Sequence, residues 1–285
     1  MEPRENMHIS TLISDIYDRM ESHEKVSEEN LEAFLQGLSE VVVKQLEEKR
    51  NTPHEKNIRM SSIGKPDRKI WMEINGPEVE RSYSPATLIK FLYGSIIEEL
   101  VIFLAKEAGH SVQELQKQCE LEGIKGHIDC KIDDDIVDIK SASDFAFRKF
   151  KTGTLESDDP FGYIGQISAY VEAEGKDTGY LLALNKVTGE LALLELDDFS
   201  LINATNRIKH IKELVKSNEM PDFCYSPQPD GKSGNMKIAR DCTYCTYKWT
   251  CFPDMRVFKY SDGLRYFTTI EKEPKVQDIT DSMRE

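Results

Sequence analysis

Gly126-His127-Ile128-Asp129-Cys130-Lys131-Ile132-Asp133-Asp134-Asp135-Ile136-Val137-Asp138-Ile139-Lys140-Ser141-Ala142-Ser143 is the stretch on which the reading of this chain turns. Apolar and polar residues alternate on both sides of an Asp triplet, which predicts two strands joined by a tight turn. Successive strand side chains point to opposite faces, so Asp138 and Lys140 share one face and Val137 and Ile139 the other. With Asp133 and Asp134 as a two-residue loop, Asp129 falls opposite Asp138, and His127 opposite Lys140. Opposed residues of this kind sit about 4.5–5.5 Å apart at Cβ. Two carboxylates that close repel strongly unless a cation bridges them or one takes up a proton. A lysine beside them can polarise a phosphate or help activate water. The same alternation also suits the solvent face of an ordinary hairpin, and a slip of one residue would reverse every side chain.

The 285 residues suffice for one large domain, or one domain with appendages. No apolar run is long enough to cross a bilayer. The opening Met1-Glu2-Pro3-Arg4-Glu5-Asn6 is polar and lacks a signal-peptide core. Six cysteines without an export signal point to a reducing compartment, where clustered thiols hold metal more often than they form disulfides. A cytoplasmic location, in a bacterial or phage-infected cell, is the expectation. The net charge of −14 argues against a generic nucleic-acid coat. An enzyme acting on DNA stays open, because phosphate contact depends on local basic patches and bound cations.

Residues 8–20 and about 27–50 have helical periodicity, with Leu31, Phe34, Leu35, Leu38, Val42 and Leu46 forming a stripe. Asn51-Thr52-Pro53-His54 breaks the pattern. Arg59-Met60-Ser61-Ser62-Ile63-Gly64-Lys65-Pro66-Asp67-Arg68-Lys69 then surrounds a Ser-Ser-x-Gly turn with basic residues, as a solvated helix entrance or a phosphate-gripping loop would. Residues 86–108 predict one long amphipathic helix with Gly109 as its C-terminal cap, and Glu98 and Glu99 flank its apolar arc on opposite sides. Phe145-Ala146-Phe147-Arg148-Lys149-Phe150-Lys151 interleaves bases with aromatics, which suits a sugar–phosphate neighbour or a solubilising loop. Residues 161–174 predict a short helix with Gln166 and Tyr170 on one face. Thr178 to Asn185 and Leu191 to Leu196 predict strands extending the same sheet. Asp197 to Lys216 reads as a helix bearing Arg207, Lys209, His210 and Lys212, a solvated face or a second DNA contact.

Cys242, Cys245 and Cys251 have C-x2-C-x5-C spacing, strong evidence for a metal site, and Cys224 brings the set to four. Local placement of all four suits zinc as well as an iron–sulfur cluster. Either would staple a loop-rich region. Cys119 and Cys130 are expected to pack as small apolar residues. Arg256 to Ile270 predicts a hairpin around Asp262-Gly263, followed by a frayed charged tail from Glu271.

Taken together, Gly126-x-x-Asp129, then Asp138-x-Lys140, then Gln166-x-x-x-Tyr170 resemble the PD-(D/E)XK nuclease superfamily, closest to its RecB-like branch. The resemblance covers roughly residues 56–255. It implies a restriction-endonuclease-like α/β fold: a mixed central sheet flanked by helices, with a helical N-terminal layer and a C-terminal cysteine-cluster module. The boundaries expected are 1–55 for the N-terminal region, 56–218 for the nuclease core, 219–256 for the cysteine module and 257–285 for the hairpin and tail. The family's G-x-x-x-E helix pattern falls on Gly94 and Glu98. Its S-x-x-x-x-C-x-R segment matches at Ser61 and Arg68, but Pro66 stands where the cysteine would be. The cysteine spacing resembles the terminal motif of RecB-like nucleases that carry a 4Fe–4S cluster, so the cluster is preferred over Zn2+.

What the resemblance implies is a Mg2+- or Mn2+-dependent exonuclease acting on DNA with a free end. Its candidate active-site residues are Asp129, Asp138, Lys140, Glu98, Gln166 and Tyr170. Glu98, Asp129, Asp138 and the Ile139 carbonyl are the candidate metal ligands. Ser61, Ser62, Lys65, Arg68, Lys69, Arg148 and Lys149 are candidate DNA contacts, and a single-strand annealing protein is a candidate partner. The rival class is a non-catalytic DNA-binding or assembly subunit; intact Asp129, Asp138 and Lys140 argue against it, since a chain that does not cut has no chemical need for all three.

Overall fold

The computed structural model describes residues 7–47, 56–78 and 83–284. In chain order its helices are α1 (Leu12–Glu21), α2 (Glu28–Glu47), α3 (Asp67–Asn75), α4 (Pro85–Glu107), α5 (Asp144–Thr152), α6 (Tyr163–Ala173) and α7 (Ala204–Lys216), then the short α8 (Arg240–Thr243) and α9 (Lys248–Cys251). The strands are β1 (Val112–Gln113), β2 (Gln118–Leu121), β3 (Ile124–His127), β4 (Cys130–Ile132), β5 (Asp135–Ala142), β6 (Gly179–Asn185) and β7 (Leu191–Leu196). They continue with β8 (Gln228–Pro229), β9 (Met236–Lys237), β10 (Arg256–Tyr260), β11 (Gly263–Thr269) and β12 (Gln277–Asp278). The chain divides into two compact units, residues 1–65 with 82–212, and residues 66–81 with 213–285.

The first unit is built on a mixed five-stranded sheet flanked by helices, in the order β1-β4-β5-β6-β7. β4 and β5 form the expected hairpin, with Cys130 opposite Val137 and Ile132 opposite Asp135. Asp133 and Asp134 both have positive φ, 51° and 74°, the pattern of a type I′ turn. Two aspartates tolerate this conformation because the Asp133 carboxylate is anchored: Oδ1 accepts from Ser111 N at 3.0 Å, and Oδ2 lies 2.6 Å from His110 Nδ1. His110 Nε2 in turn meets Asp15 Oδ2 at 3.2 Å, which ties the turn to α1. β5 and β6 run parallel, and α5 and α6 supply the crossover that parallel neighbours require.

The period-2 pattern of β5 places Val137 and Ile139 in a core with Ile9, Leu12 and Ile16 of the N-terminal segment and Val101, Ile102 and Ala105 of α4. Asp138 and Lys140 therefore face α6. The long helix runs from Pro85, capped by the Ser84 hydroxyl on Thr87 N, to Glu107, with Ala108 as its C-terminal cap and Gly109 at φ 96° beyond it. α2 packs on α4, where Phe34 and Phe103 stack with ring centroids 4.9 Å apart. Its stripe is only half covered, however: no described residue of α2 is buried, and Leu31, Leu35 and Leu46 stay exposed.

Two expectations are overturned. The hairpin strands do not continue past Asp129. Ile128 N and the Asp129 carbonyl pair with Lys117 O and Gln116 N, and β3 leaves to form a separate two-stranded sheet with β2. His127 consequently lies opposite Gln118, not Lys140. The tail after Glu271 is not frayed either. β12 pairs with β10, Arg256 bonds both Glu273 and Asp278, and Ile279 and Met283 pack on Val257 and its neighbours. Alternating charge there reads as solvated sequence, but the acids are partners for one arginine.

The 145–151 segment forms α5, which buries Phe147 and Phe150 and caps itself through Ser143 on Ala146 N. The helix expected from Asp197 starts at Ala204. In the second unit, β10 and β11 form the expected hairpin, within a sheet ordered β12-β10-β11-β9-β8.

Gly64 joins the basic loop to the start of α6 by direct backbone packing. A Cβ there would sit 2.6 Å from Gly162 Cα, closer than side chains reach. Gly64→Ala should therefore destabilise the protein by about 1–3 kcal/mol as an overpacked site. Differential scanning calorimetry would register this as a lowered transition.

Candidate active site

β5 carries the centre of the site. Asp138 is 1% exposed, and its Oδ1 accepts from Gln166 Nε2 at 3.2 Å. The same Gln166 Nε2 donates to the Tyr170 hydroxyl at 2.9 Å, so one amide group bridges the two along one face of α6. Asp138 Oδ2 is in ion-pair contact with Lys140 Nζ but receives no aligned hydrogen bond. Two residues apart on a strand, the acid and the ammonium stand side by side on the same face.

Asp129 arrives from the end of β4. Its Oδ2 accepts the Ile139 backbone N–H at 2.8 Å, which holds the carboxylate against β5 where the ladder stops. Burial pushes its carboxyl well above the usual range, and Asp138 and Glu98 add to this while Lys140 works against it. Glu98, on α4, accepts from Gln116 Nε2 at 2.7 Å and is raised first by burial, then by Glu99 and Asp138. Glu99 turns elsewhere. Its carboxylate lies against Gly37 of α2, and the charges it feels are Lys106 and Glu40. The choice between these neighbours, open in the sequence, is a matter of which face of α4 meets β5.

Lys140 is raised although burial opposes its charge, because Asp138 and Asp129 outweigh that cost. Its Nζ also lies 4.9 Å from the centroid of the Tyr163 ring. Tyr163, at the first turn of α6, had no signal of its own in the sequence; only the packing of α6 over β5 brings it here. Burial, followed by the nearby Asp138 charge, raises the Tyr170 phenol, so this hydroxyl stays neutral. Gly126 fits the same corner: a Cβ would come 2.7 Å from Met60 Sδ and 2.8 Å from Tyr170 Cε1.

The candidate DNA contacts are dispersed. Ser61 is exposed, Ser62 is buried and Lys65 Nζ donates to the Ser62 hydroxyl at 3.0 Å. Arg148 pairs with Asp144, and Lys149 with Asp158. Arg68 is committed within the second unit: it donates to Pro221 O at 2.7 Å and Cys251 Sγ at 3.3 Å, and lies over the Phe223 ring. On the α7 face, Arg207 holds the carbonyls of Ile63 and Lys65, and Lys212 that of Glu122. These contacts hold residues 204–212 within the first unit.

Cys224, Cys242, Cys245 and Cys251 are half-buried free thiols within electrostatic range of one another. The Cys242 thiol is pushed up to about 12, first by burial and then by the other three sulfurs. Cys119 and Cys130 are buried, Cys119 against the Met60 sulfur. Among the described residues, no three His, Cys, Asp or Glu side chains are grouped closely enough to hold a metal ion as placed.

The donor chemistry of both sites nevertheless fits a cation. The first offers the carboxylates of Asp129, Asp138 and Glu98 within electrostatic range of one another, an all-oxygen donor set that suits a hard divalent ion. The second offers only sulfur, which suits zinc or an iron–sulfur cluster.

Comparison with protein-family models and with curated proteins gave no match. Among solved structures, SSO0001 is 14% identical with a TM-score of 0.41, covering 76% of this chain and 95% of its own. A phage-related exonuclease from Haemophilus somnus 129PT is 17% identical with a TM-score of 0.40, covering 56% of this chain and 90% of its own. The alkaline exonuclease LHK-Exo from Laribacter hongkongensis is 16% identical with a TM-score of 0.34, covering 54% and 85%.

The raised Asp129 carboxyl has a consequence for stability. A folded-state pKa above the unfolded one favours the fold below the unfolded value, and that stability is lost as pH rises through the folded value. Asp129→Asn, measured in chelator, should gain on the order of 0.5–2 kcal/mol at pH 8. The gain should vanish as the pH falls below the native chain's own titration. Denaturant unfolding at the two pH values checks it.

Proposed function

We propose that this chain is a divalent-metal-dependent deoxyribonuclease of the PD-(D/E)XK type, an exonuclease that hydrolyses phosphodiester bonds of linear DNA in recombination, repair or phage DNA metabolism. The observation that carries this reading is the convergence of Asp129, Asp138, Lys140, Glu98, Gln166 and Tyr170 around one end of β5. A purely structural charge cluster has no need of it, since crowded buried carboxylates cost stability.

Asp129 and Asp138, with Glu98 and the carbonyl of Ile139, would hold one or two Mg2+ or Mn2+ ions. When bound, such an ion lowers the pKa of a coordinated water and neutralises charge developing on the phosphate. Lys140, kept charged by Asp138 and Asp129, would donate to an anionic phosphate oxygen and orient the attacking water. The new bond forms from water oxygen to phosphorus, and the bridging P–O bond breaks. Gln166 fixes the orientation of Asp138, and Tyr170 fixes Gln166; both are positioning residues. Ser61, Ser62, Lys65, Lys69, Arg148 and Lys149 remain the proposed phosphate contacts, whereas Arg68 is better read as a brace of the cysteine region.

For the cysteines, the C-x2-C-x5-C spacing of Cys242, Cys245 and Cys251, with Cys224 half-buried within electrostatic range of them, supports a structural metal site, with a 4Fe–4S cluster preferred and Zn2+ the alternative. A single-strand annealing protein is the partner expected of an enzyme with this role.

End-labelled duplex DNA with Mg2+ should be degraded by the native protein, and Asp138→Ala should lower the rate by at least a hundredfold, in line with loss of a metal-ion site. Equal degradation by both would remove the assignment. Anaerobically purified protein should be brown and lose its visible absorbance when Cys242 is changed to Ser; a colourless protein with stoichiometric zinc would decide for Zn2+.

A further inference from the structure

Phe161 is 61% exposed, yet it is not an isolated surface ring. Its ring stacks on Tyr163 with centroids 5.4 Å apart and planes 20° off parallel. Tyr163 leans on Phe150 at 6.0 Å and lies under the Lys140 ammonium at 4.9 Å. Lys140 contacts Asp138. A continuous stack thus leads from open solvent to the centre of the proposed site.

The turn that bears Phe161 is held firmly. The Asp159 carboxylate accepts from the backbone N–H of Gly162, Tyr163 and Ile164 at 2.9–3.0 Å. Gly162, at φ 78°, packs directly on Gly64, which seats the Ser61–Lys65 loop beside the same turn. Lone exposed apolar residues are ordinary. A ring held on a firm turn, 61% exposed, stacked on Tyr163 and one ring away from the ammonium, is a surface suited to another flat ring. Every nucleobase offers a π-face, and proteins that handle single strands use aromatic rings in this way.

We propose that Phe161 and Tyr163 form a stacking platform for an unpaired base next to the scissile phosphate, so that the chain acts on a frayed or single-stranded terminus. This rests on the nuclease reading and deepens it by naming the form of the substrate. Phe161 is then a specificity residue: it binds the base and takes no part in bond breaking.

The test uses full-length Asp138→Asn protein, which retains the platform but should not cut, and short oligothymidylates carrying one 2-aminopurine at either end. Binding should quench the fluorescence at one end. Adding Phe161→Ala should abolish the quenching and weaken binding roughly tenfold, in line with the loss of one stacked base. Phe161→Trp should restore both. In the cutting-competent protein, Phe161→Ala should raise KM on single-stranded ends and leave kcat nearly unchanged. Undiminished quenching and affinity in Phe161→Ala overturn the platform while native cleavage of end-labelled DNA leaves the nuclease reading standing. No cleavage by the native protein, together with no oligonucleotide binding, overturns both.

Discussion

Water-poor protein holds several carboxylates together only if something positive is brought to them. Around β5 that constraint falls on Asp129 and Asp138, with Lys140 in direct contact with Asp138 as a counter-charge. Burial and mutual repulsion raise Asp129 and Glu98, and the Ile139 N–H bond keeps Asp129 from turning away. The surrounding structure reads as the means of maintaining this uncomfortable arrangement. The type I′ turn sets the register of β4 on β5, and the His110–Asp133 contact secures the turn. α6 lies over the polar face with Gln166 and Tyr170 inward, while α1 and α4 fill the apolar face.

The two proposed cation sites answer the same constraint with different chemistry. In the first unit the donors are oxygens, crowded and desolvated, and the nearby cation is a lysine that also suits a phosphate. In the second unit they are sulfurs, and the nearby cations are Arg68, which donates to Cys251 Sγ, and Lys248, which is lowered by burial. Pro66 occupies the place where a related pattern has a cysteine, and two residues on, Arg68 reaches the sulfurs by hydrogen bond instead. This long charged arm ties residues 66–81 to 213–285 within one unit.

The aromatic path from Phe161 to Lys140 gives the polar site an edge. It depends on close backbone packing at Gly64 and Gly162, which only residues without a Cβ permit. The same packing places the basic Ser61–Lys65 loop at the start of α6, so the loop, the platform and the acids belong to one framework.

Much of this was legible in the sequence, because it follows from local periodicity. Alternation around the Asp triplet determined the hairpin, its turn and the face shared by Asp138 and Lys140. The four-residue spacing of Gln166 and Tyr170 determined that they point the same way, and the apolar arc determined the extent of α4. What the tertiary structure alone decided concerns contacts between elements distant in sequence. The break at Asp129, which gives His127 to another sheet, depends on pairing with residues 116–117. That Glu98 lies toward Asp138 while Glu99 lies against α2 depends on how α4 rolls between β5 and α2. Tyr163 and the acidic tail had no visible purpose until folding brought Lys140 and Arg256 to them, and Arg68, expected at DNA, meets Cys251 instead. Periodicity states which way a side chain points, but only packing states what it meets.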